Sequence, residues 1–284
     1  MRIERFHEPR EFFACVAPFL QRNEAAHTLH LGMRARLERD PHSFGPDDPR
    51  LYAALEGDEV VGASIQTPPF GAALSAFGDD SAVEALAEHM HADGIDLPSV
   101  LSEVAPGRRF VDRWNALRGT SATVAIEQRI YEATEVIPPR PVAGRMRPWE
   151  PSDRQLVVEW MDAFMAEAMP GSPEGDGAAF VARKESDASG KLFLWEDDGP
   201  VSLAGYGAPS PNGLRVGPVY TPPELRGRGY ASALTAAVTE TVLSSGRRFA
   251  FLYTDLANPT SNSIYQRIGY RPVLDVTRWD FAAA

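Results

Sequence analysis

Leu214–Tyr270, LRVGPVYTPPELRGRGYASALTAAVTETVLSSGRRFAFLYTDLANPTSNSIYQRIGY, reads as strand, tight turn, helix, strand, helix. At its centre, Arg226-Gly227-Arg228-Gly229-Tyr230-Ala231 separates an extended segment rich in Val and Pro from a helical pattern. Leu234, Val238 and Val242 keep helical spacing, and Ser245-Gly246 supplies a stop. The first amides of such a helix lack intrahelical acceptors, and its aligned dipoles leave roughly half a positive charge there, which suits an anion. Gly227 and Gly229 keep side chains off those amides and permit positive φ, while Arg226 and Arg228 add charge. The run is neither G-x-G-x-x-G nor a phosphate loop ending in G-K-[ST], so the turn alone does not fix a ligand.

The second half of the stretch narrows the reading. Asn258-Pro259 is a helix start, Asn at the N-cap and Pro at the first helical position, and Gly269 ends the same short helix, which carries Tyr265. R-x-x-G-x-A at Arg226–Ala231, then a strand, then N-x-x-S-x-x-I-Y-x-x-x-G-Y at Asn258–Tyr270, resembles the acetyl-CoA site of the GNAT superfamily of N-acetyltransferases.

That resemblance implies an α/β fold of the α+β type, with a central mixed, mostly antiparallel sheet flanked by helices. It implies acetyl-CoA as co-substrate and acyl transfer to a primary amine of a small molecule or peptide in a ternary complex. In this family the fourth strand splays from the fifth and offers its edge to the pantetheine arm. Here Pro218, Val219 and Tyr220 would form that edge, with the Val219 amide donating to the thioester oxygen, although Pro218 has no N–H to give. The diphosphate would lie on the amides of Arg226, Gly227, Arg228, Gly229, Tyr230 and Ala231. Asn258 would bind the pantetheine amide or simply cap its helix. Tyr265 would be the general acid, because a phenol of pKa about 10 can hydrogen-bond a leaving thiolate of about 8.5. The sequence departs from the family in its base: many members place Glu on the fourth strand, and Asn212–Tyr220 has none. Asp255 reads mainly as a turn residue, and Tyr220 could pass a proton through water. A non-catalytic acyl-CoA sensor, or a transferase with another acyl donor, fits the same motifs.

Composition is that of an ordinary globular protein. Of 284 residues, 44% are hydrophobic and 24% charged, and the net charge of −11 argues against nucleic acid and leaves room for a cationic amine, although such a balance more often serves solubility alone. The lone Cys15 can form no internal disulfide, which suits a reducing cytoplasm, and no Cys/His cluster has metal spacing. The apolar run Phe12–Leu20 is too short to cross a bilayer and reads as a buried helix start. No membrane association is expected, and a homodimer is compatible with the resemblance.

The chain exceeds a typical single-domain length, so two domains are expected. Helices are expected within Glu11–Arg39, over Ser81–Ala92 and Arg109–Leu117, and strands over Val100–Val104 and Thr123–Tyr131, with a stiff connector at Ile137–Pro141. The second half reads alike: a helix after Ser152-Asp153, a Gly/Pro-rich stretch Pro170–Gly177, a helix to about Asp187, a hairpin around Asp198-Gly199, and a closing strand Val273–Phe281. Without gaps, the hairpin Leu51–Pro68 lies over Leu192–Pro209 and Val100–Gly119 over Phe251–Tyr270, the mark of an internal duplication. Residues 1–140 and 141–284 are accordingly expected as two GNAT-like domains. The first puts Gly107 where Asn258 lies, Trp114 where Tyr265 lies, and the glycine-free Ala85–Met90 against the Arg226 turn. It reads as a degenerate copy and the second as the catalytic one.

Overall fold

The computed structural model describes residues 1–168, 176–186 and 190–282. Within the expected Gly/Pro-rich stretch, residues 170–175 lie outside the described residues, and so does Asp187. The chain divides into two compact units, Met1–Ile130 with Val273–Ala284, and Tyr131–Pro272.

The first unit contains β1 (Arg2–Phe6), α1 (Pro9–Arg22), α2 (Thr28–Arg39), β2 (Arg50–Glu56), β3 (Glu59–Gln66), β4 (Ala72–Leu74), α3 (Asp80–Ala92), β5 (Ser99–Glu103) and α4 (Val104–Arg118). Two long strands cross from one unit's residues to the other's: β6 (Ser121–Ala133), and the last strand of the chain, β12 (Arg271–Ala282). The sheet order is β1-β2-β3-β4-β5-β12, antiparallel except for the pair β4 and β5. Phe12, Phe13, Val16, Ala17 and Leu20 form the buried stripe of α1, and all but Ala17 make one core with Leu51, Ala53 and Ile65, so the apolar run is a helix face. A second core gathers Val83, Leu86, Phe110 and Trp114 around Trp279.

The second unit holds the end of β6 and then β7 (Arg145–Pro148), α5 (Arg154–Ala168), α6 (Gly177–Ser186), β8 (Lys191–Glu196), β9 (Pro200–Gly207), β10 (Gly213–Tyr220), α7 (Tyr230–Ser244), β11 (Phe249–Asp255) and α8 (Pro259–Arg267). Its order, β6-β11-β10-β9-β8-β7, repeats that of the first unit strand for strand. Alternation places Phe193, Ala204, Leu214, Val216, Ala250 and Leu252 against Leu234, Val238 and Val242 of α7. The opposite parity places Leu192, Leu194 and Leu203 against Val157, Met161 and Val181 of α5 and α6.

The two hairpins that matched in sequence fold alike, β2 with β3 and β8 with β9, but their registers differ by one residue: Leu51 faces Ile65, whereas Leu192 faces Gly205. Three strands had no sequence signal: β1, β4 and β7 are only 5, 3 and 4 residues long. Two expectations change. The closing strand pairs with β5, and Ile137–Pro141 packs within the second unit, its Ile137 N–H reaching the Ile268 carbonyl at 3.0 Å, so the compact units do not divide cleanly near residue 140. Ala85–Met90 lies inside α3, so the start of that helix, at Asp79-Asp80, is what corresponds to the Arg226 turn. There the Asp79 carboxylate accepts the Ser81 N–H at 2.6 Å, taking the place an external anion would need.

Candidate functional site

Parallel pairing between β10 and β11 covers only Gly213, Leu214 and Arg215 opposite Phe249, Ala250 and Phe251. From Val216 onward β10 follows β9 instead, with a bulge between Val216 and Val219 that takes in Gly217 and Pro218. A bulge bends its strand and increases the local twist, so the two parallel strands part there. The Val216–Tyr220 segment thus has one paired edge and one edge without a ladder to β11.

Beyond the splay, Pro223–Leu225 makes a short 3-10 turn and leads into Gly227 and Gly229, whose φ values are +78° and +91°. Gly229 is the N-cap of α7 and has no side chain to satisfy the first amides. The first helical bond runs from Ala233 N–H to the Gly229 carbonyl at 3.0 Å, so Tyr230, Ala231 and Ser232 present theirs outward. A Cβ on Gly227 would meet nothing within 4 Å. The turn is an open, positively polarised seat for an anion.

Its charged residues divide. Arg226 is committed to the fold: it donates twice to the Glu167 carboxylate, at 2.7 and 3.0 Å, and once to the Thr221 carbonyl at 2.9 Å. Arg228 is exposed, and its guanidinium reaches the Glu224 carbonyl at 3.3 Å and also hydrogen-bonds the Tyr230 side chain. Tyr230 donates to Asp197 at 2.6 Å, and this bond is the main cause that holds its phenol above its ordinary pKa. Burial does the same to Tyr220, with the Glu167 charge adding to it, and the ring of Trp160 lies 6.2 Å from that of Tyr220.

Asn258 is the N-cap of α8, accepting the Ser261 N–H at 3.0 Å, and Pro259 follows at the first helical position. Tyr265 lies almost wholly inside the core that contains Val216 and Leu252, with Val219 packed against the same cluster. The phenol is therefore carried by the core that borders the splay. Burial pushes it up to about 12, opposed by a hydrogen bond to Ser261. Its ring contacts are Tyr131 at 6.4 Å and Tyr270 at 5.9 Å. The Asp255 carboxylate takes the Ala257 N–H at 2.7 Å, which is the work of a turn aspartate.

Sequence reasoning missed three participants. Tyr131, at the start of the second unit, donates to Asn262 Oδ1 at 3.1 Å and accepts from Gln266 Nε2 at 2.8 Å, clamping α8. Glu167 neutralises Arg226, and Asp197 engages Tyr230. Asp197 lies at a hairpin tip, where charge is common simply because the tip is wet, and Tyr131 and Glu167 have no local signal. Among the described residues no group of three or more His, Cys, Asp or Glu could hold a metal, and no helix is long and apolar enough to cross a membrane.

The arrangement offers two features that could hold an extended, anion-bearing ligand, the strand edge left by the splay and the exposed amides of the glycine turn. The model of the FR47-like protein family matches residues 201–279, which span both. No curated protein matches the chain in sequence. Among solved structures, a Drosophila protein is similar over 98% of this chain and 97% of its own, at 15% identity and a TM-score of 0.64. A tandem GNAT protein from the clavulanic acid biosynthesis pathway is similar over 99% and 98%, at 13% identity and 0.59. A GCN5-related N-acetyltransferase from Sphaerobacter thermophilus covers 98% and 94%, at 16% identity and 0.57. Such identities speak for the fold, and the sheet, the splay and the FR47-like segment speak together: the chain is a GNAT-fold protein, as its Arg226–Ala231 and Asn258–Tyr270 motifs suggested.

Proposed function

We propose that the second unit transfers an acetyl group from acetyl-CoA to a primary amine of a small molecule or peptide, by direct attack while both are bound. The observation that carries this reading is the end of the β10–β11 ladder at Arg215 and Phe251, immediately before the bulge and the glycine turn. Bound acetyl-CoA supplies a thioester whose carbonyl carbon forms the new C–N bond with the amine as its C–S bond breaks, the amine losing one proton.

The protein's part is to position and to polarise. Amides of the Gly227–Ala231 turn seat the diphosphate, and the free edge of Val216–Tyr220 orients the pantetheine arm, with the Val219 amide donating to the carbonyl oxygen as charge develops there. The Tyr265 hydroxyl donates to the leaving sulfur. With its pKa held at about 12, the phenol keeps its proton throughout the neutral range. A thiolate of pKa about 8.5 does not retain that proton against it, so the phenol acts chiefly as a hydrogen-bond donor to developing charge. Such a bond to a charged group is worth about 1.5–3 kcal/mol, or roughly ten- to a hundredfold in rate. The first unit, whose equivalent helix start is capped by Asp79, serves a structural role in this reading.

The test is turnover with acetyl-CoA over a panel of amines, reading free thiol, for the parent and Tyr265→Phe. Expected is thiol release that depends on the amine, and a variant at least tenfold slower with little change in acetyl-CoA affinity. Equal rates would remove Tyr265 from the mechanism. Tight CoA binding without thiol release from any amine would make the unit an acyl-CoA sensor.

A further inference from the structure

Arg215 is the last residue of β10 that is paired with β11. Its neighbours Leu214 and Val216 point into the α7 core, so period two sends Arg215 to the opposite face of the sheet. On that face it is exposed, with its guanidinium 5.1 Å above the ring of Tyr253. Tyr253 ends a row of rings, Phe249 to Phe251 at 6.0 Å and Phe251 to Tyr253 at 6.4 Å, that forms a rigid floor. At the other end of β10, after the bulge, Tyr220 faces Trp160 of α5, which sets it on the same side.

No carboxylate among the described residues neutralises Arg215, in contrast to Arg226, which Glu167 holds through two hydrogen bonds. A planar guanidinium resting on an aromatic face keeps its fork of donors available and loses little freedom on pairing. The root of the splay therefore carries a fixed positive charge, in a chain whose net charge is −11.

We infer that the acceptor amine carries a carboxylate or comparable anionic group, which Arg215 binds at the root of the splay; this rests on the transferase reading above. An ammonium acceptor with no anion would meet only the repulsion of that charge.

The experiment compares kcat/KM for ω-amino acids and for alkylamines of the same length, at saturating acetyl-CoA, in the parent, Arg215→Gln and Arg215→Lys. Expected is a preference of at least tenfold for the amino acids in the parent. Arg215→Gln should lose it through acceptor KM, with acetyl-CoA KM unchanged, and Arg215→Lys should restore part of it. A dicarboxylate without an amine, such as glutarate, should compete with the acceptor in the parent, a measurement that depends on no variant. Transfer to amines without preference, or a preference that survives in Arg215→Gln, overturns the inference and leaves the transferase reading standing. Release of thiol with no amine at all overturns both.

Discussion

Gly227 and Gly229 look interchangeable in the sequence and differ in the structure. Both hold positive φ, but a Cβ on Gly229 would come 2.8 Å from Val142 Cγ1, whereas one on Gly227 would enter empty space over the turn. A larger residue at Gly229 thus disturbs the 138–142 segment as well as the amides, and Gly227 is the cleaner probe. Gly227→Ala imposes left-handed strain of about 1–2 kcal/mol and sets a methyl group beside the proposed diphosphate seat. Acetyl-CoA affinity, measured by calorimetry, is expected to weaken at least tenfold in a chain that still folds. Unchanged affinity would place the diphosphate elsewhere. At this scale the sequence was informative where chemistry is local: the turn glycines and the cap at Asn258 all occupy the roles their types suggested. It was uninformative where a partner comes from a distant helix, which is why the charge that Arg226 adds to the turn gave no hint of its pairing with Glu167 on α5.

The elements that carry the site were legible because each is bounded by its own signals. α7 opens at a glycine and closes at Ser245-Gly246, and α8 has Asn258, Pro259 and Gly269 at its ends. β1, β4 and β7 lack such punctuation, since a three- to five-residue strand is defined by its partner rather than by its own pattern. How α8 is aimed was equally invisible, because the clamp comes from β6. Asn262 turns its amide nitrogen to the carbonyls of Asp255 and Asn258, both at 2.8 Å, and its oxygen to Tyr131. One hydroxyl therefore ties the body of α8 to the turn that presents Asn258, and the ring that carries it packs beside that of Tyr265. Tyr131→Phe keeps the ring and removes the bridge, at an expected cost of about 1–2 kcal/mol in denaturant unfolding. If the clamp aims Tyr265, turnover should fall about fivefold or more with little change in acetyl-CoA KM, since the Arg226 turn lies outside the network. An unchanged unfolding midpoint and unchanged kcat would show that α8 holds its place by apolar packing alone.

At the scale of the whole molecule, the duplication is plainer in strand order than in sequence. Both units run through six strands in the same sequence of pairings, with a parallel pair at β4 and β5 in one and at β10 and β11 in the other. What the residues could not announce is which strand completes which sheet, because strand pairing is a long-range choice that leaves no mark on local pattern. β12 supplies the sixth strand of the first unit, with Val276, Thr277, Arg278, Trp279 and Asp280 opposite Glu103, Ser102, Leu101, Val100 and Ser99. Trp279 is 4% exposed, and Gly107 makes room for it: a Cβ there would stand 2.2 Å from the indole. Gly107, which the ungapped overlay set against Asn258, lies inside α4 rather than at its N-cap, Glu103, and is a packing solution for a residue distant in sequence. Trp279→Ala is consequently expected to destabilise the first unit by about 3–5 kcal/mol, the usual range for removing a buried Trp. Hydrogen exchange of the backbone amides locates the effect. Protection should fall in β5, α3 and α4, whose core Trp279 joins, while amides of α7 and β11 keep theirs. Equal loss in both groups would mean that the two units unfold as one, and full protection in β5 would mean that β12 is dispensable to the sheet it completes.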